Sequence, residues 1–391
     1  MDGKGWGKEK EKVSGKRGEG EGEGGTPRVD GGSGGAWLRR PAPRLASRPA
    51  TVLCVGETLF DGLPSGIFLG GAPLNVACHL AELRADVAFA SCVGRDRLGR
   101  EARRRLHARG VKLGLLAQSD RVETGFVEVS VDEEGEAAYE FVTPAAWDYI
   151  PRDGIAAAAA AADAVVFGTL AQRGAESRGA VAEAREAARL TVCDVNLRPP
   201  FVEEAVVASS VVGVDCLKLS DEELVPVAAA LRNQRRLDGA SDEAHAAAEA
   251  ALSSATAAAL AAEGSAAAAL AVATAAAALG AATGSACVVV TRGKDGAVLW
   301  EAAAAGIAWT CSGFRPPATA DTVGAGDAFL AALLVSRLAG ESPEECLAAG
   351  CRLGAFVAGS PGATPRHDAA LIAAVTPRED QCVRRLVFAD H

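Results

Sequence analysis

Short apolar runs alternate with helix-patterned segments along most of this 391-residue chain, and this alternation limits the possible folds more than any other feature. Each run has the length of one buried strand, and a polar or glycine residue follows it before the next helical pattern begins. Strands that alternate with helices form a parallel sheet, because the crossover helices cover its faces. We therefore predict an α/β fold with a mainly parallel sheet. The predicted strands are 51–56, 86–93, 164–169, 190–194, 214–218 and 286–291.

The composition indicates a large core and an acidic surface. Apolar residues make up 49% of the chain, which suffices for a sizeable core, and the net charge is −10 at pH 7. Such a charge argues against a nucleic-acid partner and gives no sign of a membrane surface as partner. The ten cysteines form no C-x-x-C pair and the five histidines are dispersed, so we predict reduced thiols and no metal-binding cluster.

A glycine turn that opens into a helix is the strongest candidate for a catalytic site. The Gly-Ala-Gly run at 324–326 permits a tight bend, and apolar residues at helical spacing follow it. The backbone N–H groups and the dipole at such a helix start form a site for an anion such as phosphate. Asp327 lies in the first turn, where its carboxylate could accept a proton from a hydroxyl that attacks a phosphoryl group. Alternatively, Asp327 only stabilises the helix start, for which Asp321 and Thr322 are the predicted caps.

A second glycine corner lies near the start of the predicted domain. Gly70 and Gly71 permit close approach of the backbone to a ligand, and Asn75 falls in the first turn of a predicted helix. Residues 122–131 and 136–142 alternate apolar and polar side chains around a Glu-Glu-Gly turn, which indicates a β-hairpin. An oxidoreductase is disfavoured, because no G-x-G-x-x-G motif follows the first strand.

Two motifs that lie far apart in the sequence resemble those of one enzyme family. The run A-D-T-V-G-A-G-D-A-F at 320–329, and the stretch from G-G-A-P-L-N-V-A to C-V-G-R-D-R-L-G-R at 70–100, are similar to motifs of the ribokinase-like carbohydrate kinases, also called the phosphofructokinase-B family. The resemblance covers roughly residues 51–374. It implies a three-layer α/β/α ribokinase-like fold with a mainly parallel sheet and a small β lid, whose strands would lie at about 58–70 and 122–142. It also implies Mg²⁺-dependent transfer of phosphate from ATP to a sugar hydroxyl.

The resemblance further implies a role for each matching residue. The catalytic residues would be Asp327, as the base, and Gly324, Ala325 and Gly326, as the anion hole. The sugar would be bound by Asp61, Gly70, Gly71, Asn75 and Arg198. The nucleotide would be bound by Asn196, Lys218, Glu223, Thr291, Gly293, Gly296 and Gly362. Glu223 would also contact Mg²⁺ through water, and K⁺ is a further candidate cofactor.

Two of these residues have a simpler alternative role. Ser220 and Glu223 fit a helix capping box, which is a structural feature and is compatible with the role at Mg²⁺. Arg198 suits phosphate oxygens because of its guanidinium group, but a structural salt bridge is the alternative.

Three segments resemble the fructokinase branch of the family. They are P-A-A-W-D at 144–148, G-T-L-A-Q-R at 168–173 and D-V-N-L-R-P-P at 194–200. Fructose, converted to fructose 6-phosphate, is therefore the predicted substrate. Phe141 and Trp147 either press on the apolar face of the sugar or only pack in the core. The other hypotheses are a kinase for ribose, a nucleoside or a keto-deoxy sugar, and a catalytically silent fructokinase-like scaffold protein.

The remaining segments are predicted to lie outside the catalytic core, which would span residues 51–376. Residues 1–50 are rich in Gly, Lys, Glu and Arg and are predicted to form a disordered tail. Residues 228–285 are mainly alanine and are predicted to form a helical, low-complexity insertion on the surface. Residues 377–391 are predicted to be a C-terminal tail.

The predicted partners are small molecules, namely a sugar and ATP, with no nucleic acid and no membrane. A homodimer through the lid is left open. The predicted location is the cytoplasm, and import into a plastid or mitochondrion is the alternative, because residues 37–50 are rich in arginine and lack acidic residues.

Overall fold

The computed structural model describes residues 48–63, 66–131, 137–237, 243–261, 265–304, 306–316, 322–379 and 382–387. Its strands are β1 (Thr51–Val55), β2 (Leu59–Leu63), β3 (Gly66–Gly70), β4 (Asp86–Gly94), β5 (Leu116–Ser119), β6 (Gly125–Val131), β7 (Ala137–Phe141), β8 (Ala164–Gly168), β9 (Thr191–Asp194), β10 (Cys216–Ser220), β11 (Cys287–Thr291), β12 (Ala297–Glu301), β13 (Ile307–Cys311), β14 (Phe314–Arg315), β15 (Thr376–Pro377) and β16 (Val383–Val387). Its helices are α1 (Ala72–Glu82), α2 (Arg97–Ala108), α3 (Ile155–Ala161), α4 (Ala175–Ala187), α5 (Glu204–Val211), α6 (Leu224–Leu237), α7 (Glu243–Ala261), α8 (Ser265–Thr283), α9 (Ala325–Ala339), α10 (Pro343–Ala358) and α11 (Ala369–Ala374). Most of the predicted N-terminal tail, the turn of the predicted hairpin and the predicted cap Asp321 lie outside the described residues.

In the described part of the chain, ten strands form one large sheet in the order β16-β13-β12-β11-β10-β9-β8-β1-β4-β5. Neighbouring strands from β11 to β5 in this order are parallel, whereas β12, β13 and β16 pair antiparallel. The parallel strands are short and apolar, as in β1 (T-V-L-C-V), where every residue after Thr51 is buried. Strands covered on both faces require such sequences, and each of the six predicted strands is found, with bounds that differ by a few residues.

Helices cover both faces of the large sheet and give a three-layer arrangement. The side chains of β1 alternate between two cores, with Val52 and Cys54 in one and Leu53 and Val55 in the other. The first core includes apolar side chains of α1, α2, α9 and α10, and the second includes those of α3 to α8. The predicted α/β class with a mainly parallel sheet is confirmed.

A smaller sheet of four described strands, in the order β3-β2-β6-β7, lies apart from the large one. Its strand β2 follows β1 after a short connection, so the small sheet begins at the carboxyl edge of the large sheet. In this sheet Asp61 of β2 stands opposite Phe68 of β3, and Ile67 and Phe68 are exposed. These strands coincide with the segments that were predicted to form a lid, and movement as a lid stays a prediction.

The alanine-rich segment contributes to the core, so the surface location predicted for residues 228–285 is wrong for α8. This helix packs against β11 and β12, and its residues Val272 and Leu279 are buried. A Cβ at Gly280 would overlap the ring of Trp300, which shows how closely the helix approaches the sheet. Small side chains permit this approach, so methyl groups of alanine fill the space that larger side chains usually occupy.

The same helix resembles a membrane span by length and composition. Within the described residues, α8 contains the one segment of this kind, Ala266–Thr283, with a mean hydropathy of 1.8. Half of that segment is buried inside the fold, where it covers the sheet. Packing on the sheet therefore accounts for its apolar character.

Both ends of the described chain are attached to the fold. Residues 383–387 form β16, an edge strand of the large sheet, so the tail predicted for 377–391 is wrong there. The sequence V-R-R-L-V is largely exposed, which is typical of an edge strand and gives no apolar run to detect. At the other end, Arg48 forms an ion pair with Asp163 at 2.7 Å, so the last residues of the predicted N-terminal tail contact the domain.

Candidate active site

The carboxyl ends of the parallel strands bring several charged and polar residues to one edge of the sheet. Glu57 follows β1, Asp194 ends β9, Lys218 lies near the end of β10, and Thr291 ends β11. Ligands of open α/β sheets bind in the crevice outside this edge. The start of α9 lies at the same edge, because a Cβ at Gly326 would be 3.1 Å from the Lys218 Nζ atom.

The turn before α9 bends at glycine as its sequence predicts, but the predicted cap Thr322 is not the N-cap of the helix. Gly324 adopts a φ of 79°, in the left-handed region that favours glycine, and serves as the N-cap of α9. A Cβ at this position would overlap the carbonyl group of Ala363, so the turn lies directly against the loop that follows α10. The Ala325 N–H donates to the Thr322 carbonyl at 3.2 Å, which closes the turn.

Asp327 lies in the first turn of α9 and is 8% exposed. The Asn75 amide of α1 donates to its Oδ2 atom at 2.8 Å, so two predicted site residues from distant motifs are in contact. Burial raises the pKa of the Asp327 carboxyl, whereas Lys218, the hydrogen bond from Asn75 and the charge of Arg198 act to lower it. A carboxylate with a raised pKa is a stronger base, which suits proton abstraction.

A buried ion pair lies close to the start of α9. Lys218 donates to both oxygens of Asp194, at 2.9 and 3.0 Å, and both side chains are over 90% buried. Burial alone would lower the pKa of Lys218, but Asp194 and Asp327 outweigh it and raise that pKa. Burial raises the pKa of Asp194 to about 6, although Lys218 opposes the rise. We call Asp327, Asn75, Lys218 and Asp194 the charge cluster.

The glycine corner at Gly70 and Gly71 is shaped by two carboxylates. A Cβ at Gly70 would lie 2.7 Å from Oδ2 of Asp61, and a Cβ at Gly71, whose φ is 116°, would overlap the carbonyl group of Glu57. Glycine is therefore required at position 71, whereas at position 70 a side chain would displace the Asp61 carboxylate. Burial raises the pKa of Asp61 to about 6, and the positive charge of Arg198 opposes this rise.

Glu57 is a site residue that the sequence analysis did not assign. It is 2% exposed, its Oε1 accepts a hydrogen bond from the Ala72 N–H at the start of α1, and its Oε2 has no partner among the described residues. Burial raises the pKa of this carboxyl to about 7. An acidic residue directly after a buried strand and a glycine was the available signal, because that position lies at the ligand edge of the sheet.

Arg198 lies on the exposed loop after β9 and donates to the Leu197 carbonyl at 2.9 Å. Among the described residues it has no ion-pair partner within 4 Å, so the structural salt bridge considered above is not formed. Its charge nevertheless favours the ionised forms of Glu57, Asp61 and Asp327. The guanidinium group therefore acts on these three carboxylates through its charge, without a direct ion pair.

The predicted nucleotide residues are mostly backbone features. Gly293 is exposed at a φ of 50° in a turn after β11, whereas Gly296, at a φ of 85°, is buried against the Cys311 carbonyl. Gly293 is therefore accessible to a ligand, whereas Gly296 packs the turn against the strand that contains Cys311. We call residues 291–296 the β11 turn.

Glu223 connects the two loops next to this turn. Its Oε1 accepts the Leu197 N–H at 2.6 Å, and its Oε2 accepts the Ser220 N–H at 2.8 Å, which is the predicted contact of the capping box. Asn196, beside Leu197, has a φ of 44°. Glu223 therefore fixes the loop that carries Asn196, whatever else it contacts.

The sequence analysis also named Gly362 and Trp147 as candidates for ligand contact. A Cβ at Gly362 would be 4.0 Å from the ring of Phe68, so the loop after α10 meets the small sheet. Trp147 is 1% exposed and the Arg173 guanidinium lies 3.8 Å from its ring centroid. Trp147 is thus a core residue, and its suggested contact with the sugar is wrong. Phe141 packs edge-on against Phe201.

Comparison with protein families and relatives gives a consistent result. A model described as the pfkB family of carbohydrate kinases matches residues 66–271 and 261–369. A relative named fructokinase, from Salmonella typhimurium, is 28% identical over 314 residues, which are 76% of this chain and 88% of that protein.

Solved structures resemble the described fold over most of its length. A fructokinase from Xylella fastidiosa with bound ATP aligns with a TM-score of 0.64 at 21% identity, covering 83% of this chain and 97% of that one. A ribokinase from Arabidopsis thaliana, complexed with ribose and ATP, aligns with a TM-score of 0.61 at 19% identity, covering 84% and 98%. At such identities the likeness concerns the fold, and it confirms the predicted ribokinase-like architecture.

Proposed function

Because the chain belongs to the pfkB family of carbohydrate kinases and is thus an ATP-dependent sugar kinase, we propose that its sugar is fructose and its product fructose 6-phosphate. The similarity to a fructokinase over 76% of the chain is the observation that carries the choice of sugar. The segments at 144–148, 168–173 and 194–200, which resemble the fructokinase branch, support it independently of the catalytic motifs.

In the proposed mechanism Asp327 is the base. The sugar hydroxyl would lie beside its carboxylate, which takes the proton as the hydroxyl oxygen attacks the γ-phosphate. Asn75 holds Oδ2 of Asp327 at 2.8 Å and so fixes the direction of the carboxylate. Asp61 and the backbone at Gly70 and Gly71 would orient the other hydroxyls, which places the reacting groups together before the transfer.

The charge that develops on the transferred phosphate would be stabilised from two sides. The turn of Gly324, Ala325 and Gly326 lies at the positive end of the α9 dipole. The Lys218 ammonium group, which is paired with Asp194, would lie 3.1 Å from a Cβ at Gly326 and so is close enough to attract the same charge. Arg198, on the exposed loop opposite, suits the phosphate oxygens because its guanidinium has no competing ion pair among the described residues.

ATP would lie along the β11 turn, with Thr291, Gly293 and Asn196 on one side and Gly362 on the other. Mg²⁺ would be held mainly by the phosphates of ATP, because this ion keeps several of its waters and usually binds one or two protein carboxylates. Glu223 is the carboxylate that would bind a water ligand of Mg²⁺. When bound, Mg²⁺ would neutralise part of the charge on the β- and γ-phosphates.

A panel of acceptor sugars tests the proposed substrate. The wild-type chain would be incubated with ATP, Mg²⁺ and either fructose, ribose, a nucleoside or a keto-deoxy sugar acid, and ADP release would be followed. We expect the largest kcat/KM for fructose, with the phosphate of the product on C6 in ³¹P spectra. A larger kcat/KM for another sugar would overturn the choice of fructose and leave the proposed base unaffected.

A folded, ATP-binding chain that turns over none of these sugars would favour the silent scaffold. Two features argue against that outcome, because Asp327 and the glycines of the anion hole are all present and Asp327 is held by Asn75. A scaffold needs neither a base with a raised pKa nor a lysine beneath the anion hole.

A further inference from the structure

His79 is a fully buried histidine that the mechanism above does not use. It lies on α1, one helical turn after Asn75, and its exposed fraction is 0%. Its neighbours along the chain, Cys78 and Leu80, are buried apolar residues. A buried imidazole in such surroundings needs a hydrogen-bond partner for each ring nitrogen.

Both ring nitrogens of His79 have a partner. Its Nε2 atom lies 3.0 Å from the Ala363 carbonyl oxygen, and its Nδ1 atom lies 3.0 Å from Nε2 of His367, whose ring stacks on it with centroids 5.3 Å apart. A carbonyl oxygen only accepts, so we assign the proton of His79 to Nε2. Its Nδ1 then accepts from the Nε2–H of His367.

The pKa of each imidazole of this pair is lowered from its ordinary value of 6.5, so the neutral form is favoured at neutral pH. Burial, followed by the nearby His367, lowers the pKa of His79 to about 3. Burial and Arg109 also lower the pKa of His367, although Glu82 acts in the opposite direction. The other charged groups on this loop are Arg366, which is paired with Glu82 at 2.6 Å, and Asp368, whose carboxylate accepts from the Ala370 N–H at the start of α11. Nδ1 of His79 therefore remains an acceptor for the Nε2–H of His367 at neutral pH, while Nε2–H of His79 donates to Ala363.

Ala363 connects this pair to the anion hole. The backbone of Gly324 lies so close to Ala363 that no side chain fits between them. The rest of the loop is anchored to the end of the neighbouring helix α2, because Arg109 donates to the Thr364 carbonyl and Arg366 donates to the Ala108 carbonyl at 3.0 Å. The position of Ala363 thus sets how far the turn can move away from the crevice.

We propose that His79 is a positioning residue for phosphoryl transfer. Through its Nε2–H it holds the Ala363 carbonyl, and Ala363 in turn supports Gly324 at the start of α9. The same helix α1 holds Asp327 through Asn75, so His79 and Asn75 place the anion hole and the base relative to one rigid element. This inference rests on the proposed role of the 324–326 turn as the anion hole.

The proposal predicts a specific kinetic effect. The anion hole acts on charge that develops in the transition state, whereas the sugar is bound by residues of the small sheet and α1. Displacing the turn should therefore lower kcat and leave KM for the sugar nearly unchanged. A displacement of about 1 Å costs up to about 100-fold in rate, and we expect a loss of about tenfold or more when the contact with Ala363 is lost.

Two substitutions of His79 separate positioning from packing. His79→Gln keeps an N–H donor at the place of Nε2 and can still reach Ala363, whereas His79→Asn keeps a polar group only near Nδ1, toward His367. We expect kcat of His79→Gln within about threefold of the wild type and kcat of His79→Asn lower by about tenfold or more. The matched controls are His107→Gln and His107→Asn, because His107 is an exposed histidine of α2.

Rates would be measured with the sugar that the wild type phosphorylates fastest and expressed per ATP-binding molecule, so that partial unfolding does not enter the comparison. Thermal unfolding of each variant would be followed in parallel. Equal kcat for the two His79 variants, or a change in KM of the sugar alone, would overturn the positioning role and leave the proposed kinase function intact. Absence of turnover by the wild type would overturn both.

Discussion

Around Asp327 the crevice is lined by buried charged side chains that hold one another, whereas around Gly293 it is lined by an exposed backbone turn. The charge cluster contains two hydrogen-bonded pairs, one between α1 and α9 and one between β9 and β10, with distances of 2.8 to 3.0 Å, and Lys218 interacts with Asp327 through its charge. The β11 turn presents glycine at positive φ and few side chains. The difference suggests that one side of the crevice performs the chemistry, which needs fixed charges, and the other side accommodates a ligand through its shape.

This comparison predicts that substitutions in the charge cluster change kcat and stability strongly, while substitutions in the β11 turn mainly change the affinity for ATP. Each variant below tests one part of that contrast. They are ordered from the largest expected effect to the smallest.

Among the variants that test this contrast, removal of Lys218 should have the largest effect, because it lowers both stability and kcat. Lys218→Met leaves Asp194 buried without a partner, which costs about 3 to 5 kcal/mol of unfolding free energy. It also removes a positive charge next to the proposed anion hole, and we expect kcat to fall about 100- to 1,000-fold. Chemical denaturation and initial rates measure the two effects separately.

The double variant Lys218→Met/Asp194→Asn removes the unpaired charge and should recover most of the stability without recovering kcat. Lys112→Met is the matched control, because Lys112 is paired with Asp86 at the surface and not at the crevice. If the double variant regained wild-type kcat, Lys218 would act through stability alone.

Loss of the Asn75 amide should change the pH dependence of the reaction. The hydrogen bond from Asn75 lowers the pKa of Asp327, so Asn75→Leu should raise that pKa further. Because the base must be ionised, the acidic limb of the kcat profile should move to higher pH. Asn233→Leu is a suitable control, since Asn233 also donates to a carboxylate, that of Glu204, at 2.9 Å. If the acidic limb of the kcat profile of Asn75→Leu stayed at the wild-type pH, ionisation of Asp327 would not determine that limb.

Glu57 should make stability depend on pH. Its pKa in the folded state, about 7, is higher than its ordinary value of 4.5, so the folded state binds the proton more tightly than the unfolded state. Its contribution to stability is complete below about pH 4.5 and is lost as pH rises through about 7. Glu57→Gln keeps an acceptor for the Ala72 N–H and cannot ionise. Between about pH 5 and 8, we expect the Tm of Glu57→Gln to fall less than the Tm of the wild type. Parallel Tm curves for the two proteins would contradict the raised pKa of Glu57.

The smallest effect is expected in the β11 turn. Gly293→Ala places a side chain at a φ of 50° and should cost about 1 kcal/mol of stability. Gly110→Ala, at a φ of 82° on an exposed turn, should cost a similar amount without any kinetic effect. Only Gly293→Ala should raise KM for ATP, while kcat changes little. A large loss of kcat in this variant would remove the contrast between the two sides.

The sequence predicted the fold because its parallel strands are buried on both faces. A strand such as β8, A-V-V-F-G, can be recognised without knowing its neighbours. The edge strand β16 and the helix α8 could not, since one is largely polar and the other has small side chains whose packing depends on the sheet beneath. Their places in the fold are set by tertiary contacts that leave no local pattern.

For the candidate site, too, the sequence revealed local motifs but not the contacts between distant residues. The glycine turn and Asp327 form a local motif, and the structure brings Asn75 to them, although the catalytic roles themselves stay predictions. The pairing of Lys218 with Asp194 depends on the register of β9 and β10, which the sequence does not state. Glu57 and His79 were missed because burial, and not residue type, makes them unusual.

The most direct test of the account is the reaction of Asp327→Asn in a single turnover with saturating ATP and sugar. Asparagine has the same shape and can still contact Asn75, but it cannot accept the proton. Glu344→Gln, in the first turn of α10, is the control for loss of a helix-start carboxylate. We expect Asp327→Asn to bind ATP as the wild type does and to transfer phosphate about 100- to 10,000-fold more slowly. Transfer at the wild-type rate by this variant would contradict the central claim that the buried Asp327 is the base.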